Sequence, residues 1–593
     1  MKKGFLIFLV FTGIFNAFAQ KKSTKKTLPI KIDTVKTEVV EVVTKYNPKI
    51  ADASKIKKNP TIKLLDNSRK KKLTYSIFSA PVASNFTPKS GAVKSIDVGV
   101  KERVYNNYVA AGFGNYTSPY LEAYINSSTR FESEFGMHTK YVASFDNIKD
   151  TNLDSDFSNF LTSIFYKKEE RYFDWKVSLN SERNQYNWYG LPNYDFTQNT
   201  LNSIDENQTY NYFNVTGEID FLDGYIEKSN VSISYFSDAF NSKEFLVNLD
   251  TDINLPIDFI YNRLNNLSVK TGLELLKGQF STDYANPNEL NYSIFTATIN
   301  PEYKTVIRGF SLKLGTKIVG SFDTENSVNN FLMYPDVLIK KAILKEYLNI
   351  YGGITGDLNT NTYKGFTDEN PYISPTLFMT QTSEKYNVFV GLNGLINNDI
   401  SFNISATIKD EEDKPFFIRN NSKSDGTNNT SNSIALKGYE YGNSFNLVYD
   451  DVKTTSIFAE LEYDFTKKIT FSTNIQFDDF KLTNQTEAWN SPTLQTTFIG
   501  KYKSSKWYAT SSIFYVNERK DLLYNTSFPS STNGFQTLSS FVDINVNGGY
   551  HFNDNFSAFL KLNNVLNNNY QRFANFNVQG FQALAGISYK FDF

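Results

Sequence analysis

The stretch "ALAGISYKFDF" (Ala583–Phe593) decides how this chain is read. Ala583, Ala585, Ile587, Tyr589, Phe591 and Phe593 fall on one side, while Gly586, Ser588, Lys590 and Asp592 fall on the other, with Leu584 the exception. Side chains of a strand alternate between two faces, so this is a β-strand with one apolar and one polar face. An edge strand of this kind would seed aggregation in water. It needs lipid on its apolar face and a partner along its edge.

The same alternation recurs upstream. In "VDINVNGGYHF", Val542, Ile544, Val546 and Tyr550 alternate with Asp543, Asn545, Asn547 and His551. In "IFAELEYDFTKKITFSTNIQFD", Ile457, Ala459, Leu461, Tyr463 and Phe465 oppose Glu460, Glu462 and Asp464. A turn at Thr466–Lys468 follows, and Ile469, Phe471, Ile475 and Phe477 resume the pattern. Phe213, Val215, Ile219 and Phe221 pair with Val231, Ile233 and Tyr235 in the same way. Strands of about 9–11 residues are the length that crosses a bilayer when tilted. A soluble sandwich would use strands of about 5–6 residues. The pattern predicts an all-β, antiparallel transmembrane barrel of about 22 strands (range 20–24) over residues 100–593, the final strand pairing with a first strand near Val109–Gly114. Long polar connections from Asn187, Asn420 and Asn525 are expected outside the cell, and tight turns in the periplasm.

The start of the chain sets the compartment. Lys2 and Lys3 precede an apolar run from Phe5 to Phe15, and "NAFAQ" places Ala17 and Ala19 at small-residue cleavage positions. Residues 1–19 read as a secretory signal peptide. The chain has no Cys, which excludes disulfides and thiolate metal sites. Residues 20–99 carry 18 Lys/Arg against 6 Asp/Glu, whereas residues 100–593 carry 41 against 56. The first region reads as a basic, partly disordered periplasmic extension. Its excess positive charge complements lumen-facing Glu460, Glu462, Asp464 and Asp543, so it could occlude the lumen, recruit a plugging partner or act as a tether.

"FSAFLKLNNVLNNNYQ" (Phe556–Gln571), followed by "GISYKF", resembles the closing strands of TonB-dependent receptors of the outer membrane. "DTVKTEVVEVVTKY" (Asp33–Tyr46) resembles that family's energy-coupling segment and the strand that opens its plug. The resemblance implies a receptor or transport barrel with no cofactor. Its coupling candidates are Val39, Val40, Val42, Val43, Tyr46 and Pro48, and its assembly signal is Tyr589, Phe591 and Phe593. The implied partners are outer-membrane lipid and lipopolysaccharide, the barrel-assembly machinery, and a TonB-type coupling protein or a periplasmic or lipoprotein partner. Residues 20–99 are too few for the family's plug and lack its Gly-rich body, so the chain resembles a plugless or truncated-plug form from Bacteroidetes-like Gram-negative bacteria. The competing reading is a structural or assembly subunit whose basic arm docks a partner.

Little else suggests chemistry. His138 and His551 are the only histidines, and no nucleophile elbow, P-loop or metalloprotease helix is present, so an enzyme is disfavoured. Asp150, Asn152, Asp154 and Asp156 match the first four ligand positions of a calcium loop. Ser155 and Leu161 stand where the turn Gly and the bidentate Glu belong, which favours a solvated loop. "KDEEDK" (Lys409–Lys414) reads as a solvated turn. Tyr186, Trp188, Tyr189 and Tyr194 are ligand-loop candidates that could stack on sugar faces, against the plainer reading of an interfacial aromatic girdle or of loop packing. The basic run Arg69–Lys72 suits anionic lipid or an acidic partner in an exported chain, and no nucleic acid is expected.

Overall fold

The structure is a computed structural model that describes residues 105–129, 132–193, 195–255, 267–345, 347–431, 433–525 and 531–593. The residues read as a signal peptide and as a basic extension, including the coupling candidates from Val39 to Pro48, lie outside the described residues.

Alternation closes into an antiparallel barrel of 22 strands. The first, Asn107–Gly114, pairs with the second, Ser118–Ser128, and also with the last, Gln582–Phe591. Tyr589 lies opposite Val109 and Phe591 opposite Asn107, so no edge is left along this seam. The strand expected from the opening motif is therefore the closing strand. Among the described residues, no helix is long and apolar enough to cross a membrane.

The two faces behave as their chemistry requires. Phe213, Val215, Val231 and Ile233 point outward and are exposed, Val215 by 46%. The polar residues between them turn into the lumen, where Asn214 bonds to Ser232 Oγ (2.8 Å) and to Asn180 (3.2 Å). Val215 stands halfway along Asn207–Phe221, and Val215→Arg is expected to cost about 2–4 kcal/mol, the range for a midplane charge facing lipid. Glu460→Arg on the lumen face is expected to cost little. Unfolding titrations of the two variants in lipid, read by gel mobility, check this contrast.

One rim carries both ends of the barrel and tight connections such as 308–309, 398–399 and 467–468. Arg308 (φ 51°) and Gly309 (φ 80°) are both left-handed, as a two-residue hairpin turn of the primed type demands. The other rim carries connections of 19 residues (188–206), 22 (360–381), 25 (420–444), 24 (517–540) and 18 (564–581). Several strands exceed the expected 9–11 residues: Ile400–Arg419 has 20 and Phe445–Thr466 has 22. At about 3.3 Å per residue the latter runs roughly 70 Å, far beyond a hydrocarbon core of about 30 Å. The excess stands above the outer rim, where it flanks the long loops.

The acidic run at Lys409–Lys414 is strand, not turn. It lies inside Ile400–Arg419, where the register shifts between Glu411 and Lys414. Asp413 takes a positive φ of 53° in this bulge, and Glu411 is buried, with Lys414 at 2.6 Å. Lys409 reaches Glu384 on the neighbouring strand at 3.1 Å. Lysines of both neighbouring strands meet the run, Lys453 at Asp410 (3.5 Å) and Lys385 at Glu412. This neutralisation across strands lets four consecutive acids remain in a sheet.

Candidate functional site: the outer loop core and its cavity

The long loops do not stand open in solvent. They fold onto one another and form a hydrophobic core at the outer mouth, built around Tyr189, Tyr363, Phe366, Tyr441, Phe445 and Phe576.

Loop 360–381 is the keystone. Thr362 caps the short helix Tyr363–Glu369 by accepting from Gly365 N at 3.0 Å. A carboxylate of the barrel wall does the rest. Glu244 is buried, and it accepts from the backbone N–H of Tyr363 (2.6 Å) and of Lys364 (3.2 Å) and from the Tyr292 hydroxyl (2.8 Å). Helix N-terminal amides that would otherwise be unsatisfied thus fix the loop to the strand Lys243–Leu255. Tyr363 donates to Asp238 (2.9 Å), and Lys364 reaches Glu182 at 3.1 Å.

The other loops lock onto this one. Ser374 N donates to Phe445 O at 2.8 Å, and Tyr372 stacks on Phe576 with ring centroids 3.8 Å apart. Trp188 Nε1 donates to Tyr372 O (3.1 Å), Tyr210 to Pro371 O (2.9 Å), and Tyr189 to Asn577 O (2.8 Å). Asn443 Nδ2 bridges Trp188 O (2.6 Å) and Gly438 O (2.8 Å). A smaller cluster of Phe416, Val452 and Trp489 packs beside it, with Leu522 of the hairpin Arg519–Tyr524 and Thr532–Leu538 against it.

Two of the ligand-loop candidates, Trp188 and Tyr189, are packed into the loop core, as the loop-packing alternative has it. Trp188 is 0% exposed and packs edge-on against Tyr439, with centroids 5.3 Å apart. It is neither an open stacking platform nor part of a girdle, because its indole N–H and both neighbouring loops are committed inside the core. Tyr189 is buried as well, Tyr186 lines a cavity, and Tyr194 lies outside the described residues.

The calcium pattern does not assemble a site. In loop 145–156, Leu153 and Ser155 turn into the core while Asn152 and Asp154 face out. Asp154 accepts from Asn147 (2.8 Å) and Asp156 from Asn187, so Asp150, Asn152, Asp154 and Asp156 do not converge. No group of three or more metal-ligating side chains occurs among the described residues. His138 lies on the lumen wall 3.0 Å from Glu122, and His551 lies 2.6 Å from Ser557 Oγ.

Two features of the site escape a reading of the sequence, loop 360–381 and the segment 572–579. Their signals are faint: Thr362 as a cap, prolines at 371 and 375, and aromatics without period in "QRFANFNV". Between them and the strands Phe157–Glu169 and Phe173–Asn187 lies a cavity of about 290 Å³. A second hollow of about 790 Å³ on the lumen wall is polar, and there Glu302 is surrounded by Lys270 (3.3 Å), Lys304 (3.3 Å) and Lys313 (3.7 Å).

One buried carboxyl makes the core sensitive to pH. Asp521, in the hairpin above the barrel, is 0% exposed and accepts from Leu522 N (2.8 Å) and Arg419 N (3.2 Å). Burial pushes its pKa up to about 6. Raising the folded value above the unfolded one means that the docked hairpin is fully stabilised in acid and loses that stabilisation as pH rises through about 6. Hydrogen exchange of residues 519–524 and 532–538, corrected for intrinsic rates, is expected to be slower at pH 5 than at pH 7 by a free energy of about 1 kcal/mol, since about half of the loss already falls below pH 5. Asp521→Asn should remove the difference.

No family model matches the sequence, and no curated protein matches it. Solved structures do. The FpvAI–pyocin S2 complex superposes with a TM-score of 0.60 at 11% identity, covering 83% of this chain and 71% of that one. The ferripyoverdine receptor of the Pseudomonas aeruginosa outer membrane, bound to ferripyoverdine, gives 0.60 at 12%, covering 83% and 72%. The siderophore receptor PirA from Acinetobacter baumannii gives 0.59 at 12%, covering 83% and 81%. The likeness is one of fold: a closed 22-stranded antiparallel barrel, here with loops packed over its outer mouth.

Proposed function

We propose that the chain is an outer-membrane receptor that admits a small solute, with the loop core as its outer gate. The observation that carries this reading is the loop core itself. A barrel of this width encloses a lumen that must be closed, and here loops from one rim supply a packed closure hinged on wall carboxylates. Likeness of fold to siderophore receptors supports the transport class, while the substrate is this chain's own question. In this reading residues 20–99 lie in the periplasm, and Val39, Val40, Val42, Val43, Tyr46 and Pro48 engage a TonB-type coupling protein. Tyr589, Phe591 and Phe593 present the closing strand to the assembly machinery.

Comparing cells that lack the chain with complemented cells tests the proposal. Loss of uptake of at least one small solute, restored by the wild type and not by a Val40→Pro/Val43→Pro variant, is the expected result. Unchanged uptake across solutes, with altered composition of another outer-membrane complex, would favour the assembly-subunit reading instead.

A further inference from the structure

The cavity between the loop core and the wall has a chemistry of its own. Tyr186 projects into it from the strand Phe173–Asn187, and Tyr372 and Phe576 border it from two loops. Carboxamides ring these aromatics: Asn159 and Asn184 on the wall, Asn577 and Gln579 on the closing loop. The Asn159 Oδ1 atom is buried with no hydrogen-bond partner, an acceptor that costs free energy unless something donates to it.

Charge narrows the choice of ligand. The charged groups at the cavity are Arg572, Asp156 and Asp368. Asp368 is already paired with Lys364 at 2.7 Å, Asp156 accepts from Asn187, and Arg572 donates to Glu369 O at 3.2 Å. No surplus of either sign remains to hold a multiply charged metal chelate. Aromatic faces suit apolar C–H surfaces, and carboxamides present paired donors and acceptors that match adjacent hydroxyls. A volume near the lower end of ligand pockets accommodates roughly one or two sugar rings rather than a polymer.

We propose that this cavity binds a neutral mono- or disaccharide unit, held by Tyr186 and the wall amides Asn159 and Asn184. The proposal rests on the receptor reading and adds its substrate class. Asn159 and Asn184 face each other across adjacent strands, so a ligand hydroxyl bridging them would fill the open acceptor. Arg572 and Asp368, exposed at the cavity edge, mark where a second ring would extend.

The test uses the purified full-length protein in detergent, an array of neutral mono-, di- and trisaccharides, and a ferric catecholate as the charged comparison. Saturable binding of at least one saccharide is expected, weakened about tenfold or more by Tyr186→Ala and by Asn184→Leu. Heat-modifiable gel mobility verifies that each variant remains a closed barrel. Absence of saturable saccharide binding by folded wild type, or binding that neither variant alters, overturns the assignment. Binding of the ferric catecholate alone would overturn the substrate class and leave the receptor reading standing. The receptor reading itself fails only in the uptake comparison.

Discussion

Gly438→Ala is expected to pull two outer loops apart while leaving the barrel closed. The Gly438 backbone lies against loop 188–206, and a Cβ built there would fall 1.6 Å from Asp205 O and 2.6 Å from its carbonyl carbon. Those atoms are backbone, so no rotamer change relieves the clash. Tyr439 next to it wedges between Trp188 and Phe240, with centroids 5.3 Å from each, and Asn443 ties Gly438 O to Trp188 O. Separating the two backbones breaks all of these contacts together. Overpacking of this kind costs about 1–3 kcal/mol or more. Limited proteolysis should cut the variant within 188–206 and 420–444, where the wild type resists. Wild-type resistance in the variant would mean that these loops are not packed as described.

Glu244→Ala is expected to release loop 360–381 from the wall. The substitution strands three buried donors at once: Tyr363 N, Lys364 N and the Tyr292 hydroxyl. Each unsatisfied group costs about 1–3 kcal/mol, which is ample to undock a loop held by one short helix. Glu244→Gln keeps an acceptor oxygen and should fall between the two. Fluorescence of a dye attached at Asp368→Cys, the sole cysteine in a chain that has none, follows the release. A larger anisotropy drop for Ala than for Gln is the expected order, and equal values for all three proteins would remove Glu244 as the anchor.

The barrel is legible in the sequence because its signal is local and periodic. Phe213, Val215 and Ile219 alternate with polar residues, as do Val231, Ile233 and Tyr235, and Asn107–Gly114 offers a partner for the closing strand. Strand heights are not legible in the same way, because alternation continues past the bilayer. In Phe445–Thr466, Phe445 and Leu447 keep the period but pack against loops rather than lipid. The loop core is hidden for a different reason. Trp188, Tyr363, Tyr441 and Phe576 belong to four loops distant in sequence, and none of those loops carries a period that reports burial. Polar neighbours such as "NTYKGFTDEN" make them look solvated. Glu244 is invisible too, since an acid on a strand reads as lumen lining until the amides it caps are known. The Lys409–Lys414 run looks like a turn because consecutive acids repel, yet a bulge carries them when Lys385 and Lys453 face Glu412 and Asp410 from adjacent strands.

The outer loops form one folded closure rather than a set of independent surface segments. Residue-resolved hydrogen exchange on the full-length protein separates the two. The amides to follow are Trp188 (to Glu206 O, 2.8 Å), Thr197 (to Gly426 O, 2.9 Å), Ser374 (to Phe445 O, 2.8 Å) and Asn420 (to Ser444 O, 2.9 Å). Protection of all four to a common level, approaching that of the barrel strands, is the predicted result. Exchange of these amides at the rates of unstructured loops, beside protected strands, would contradict it.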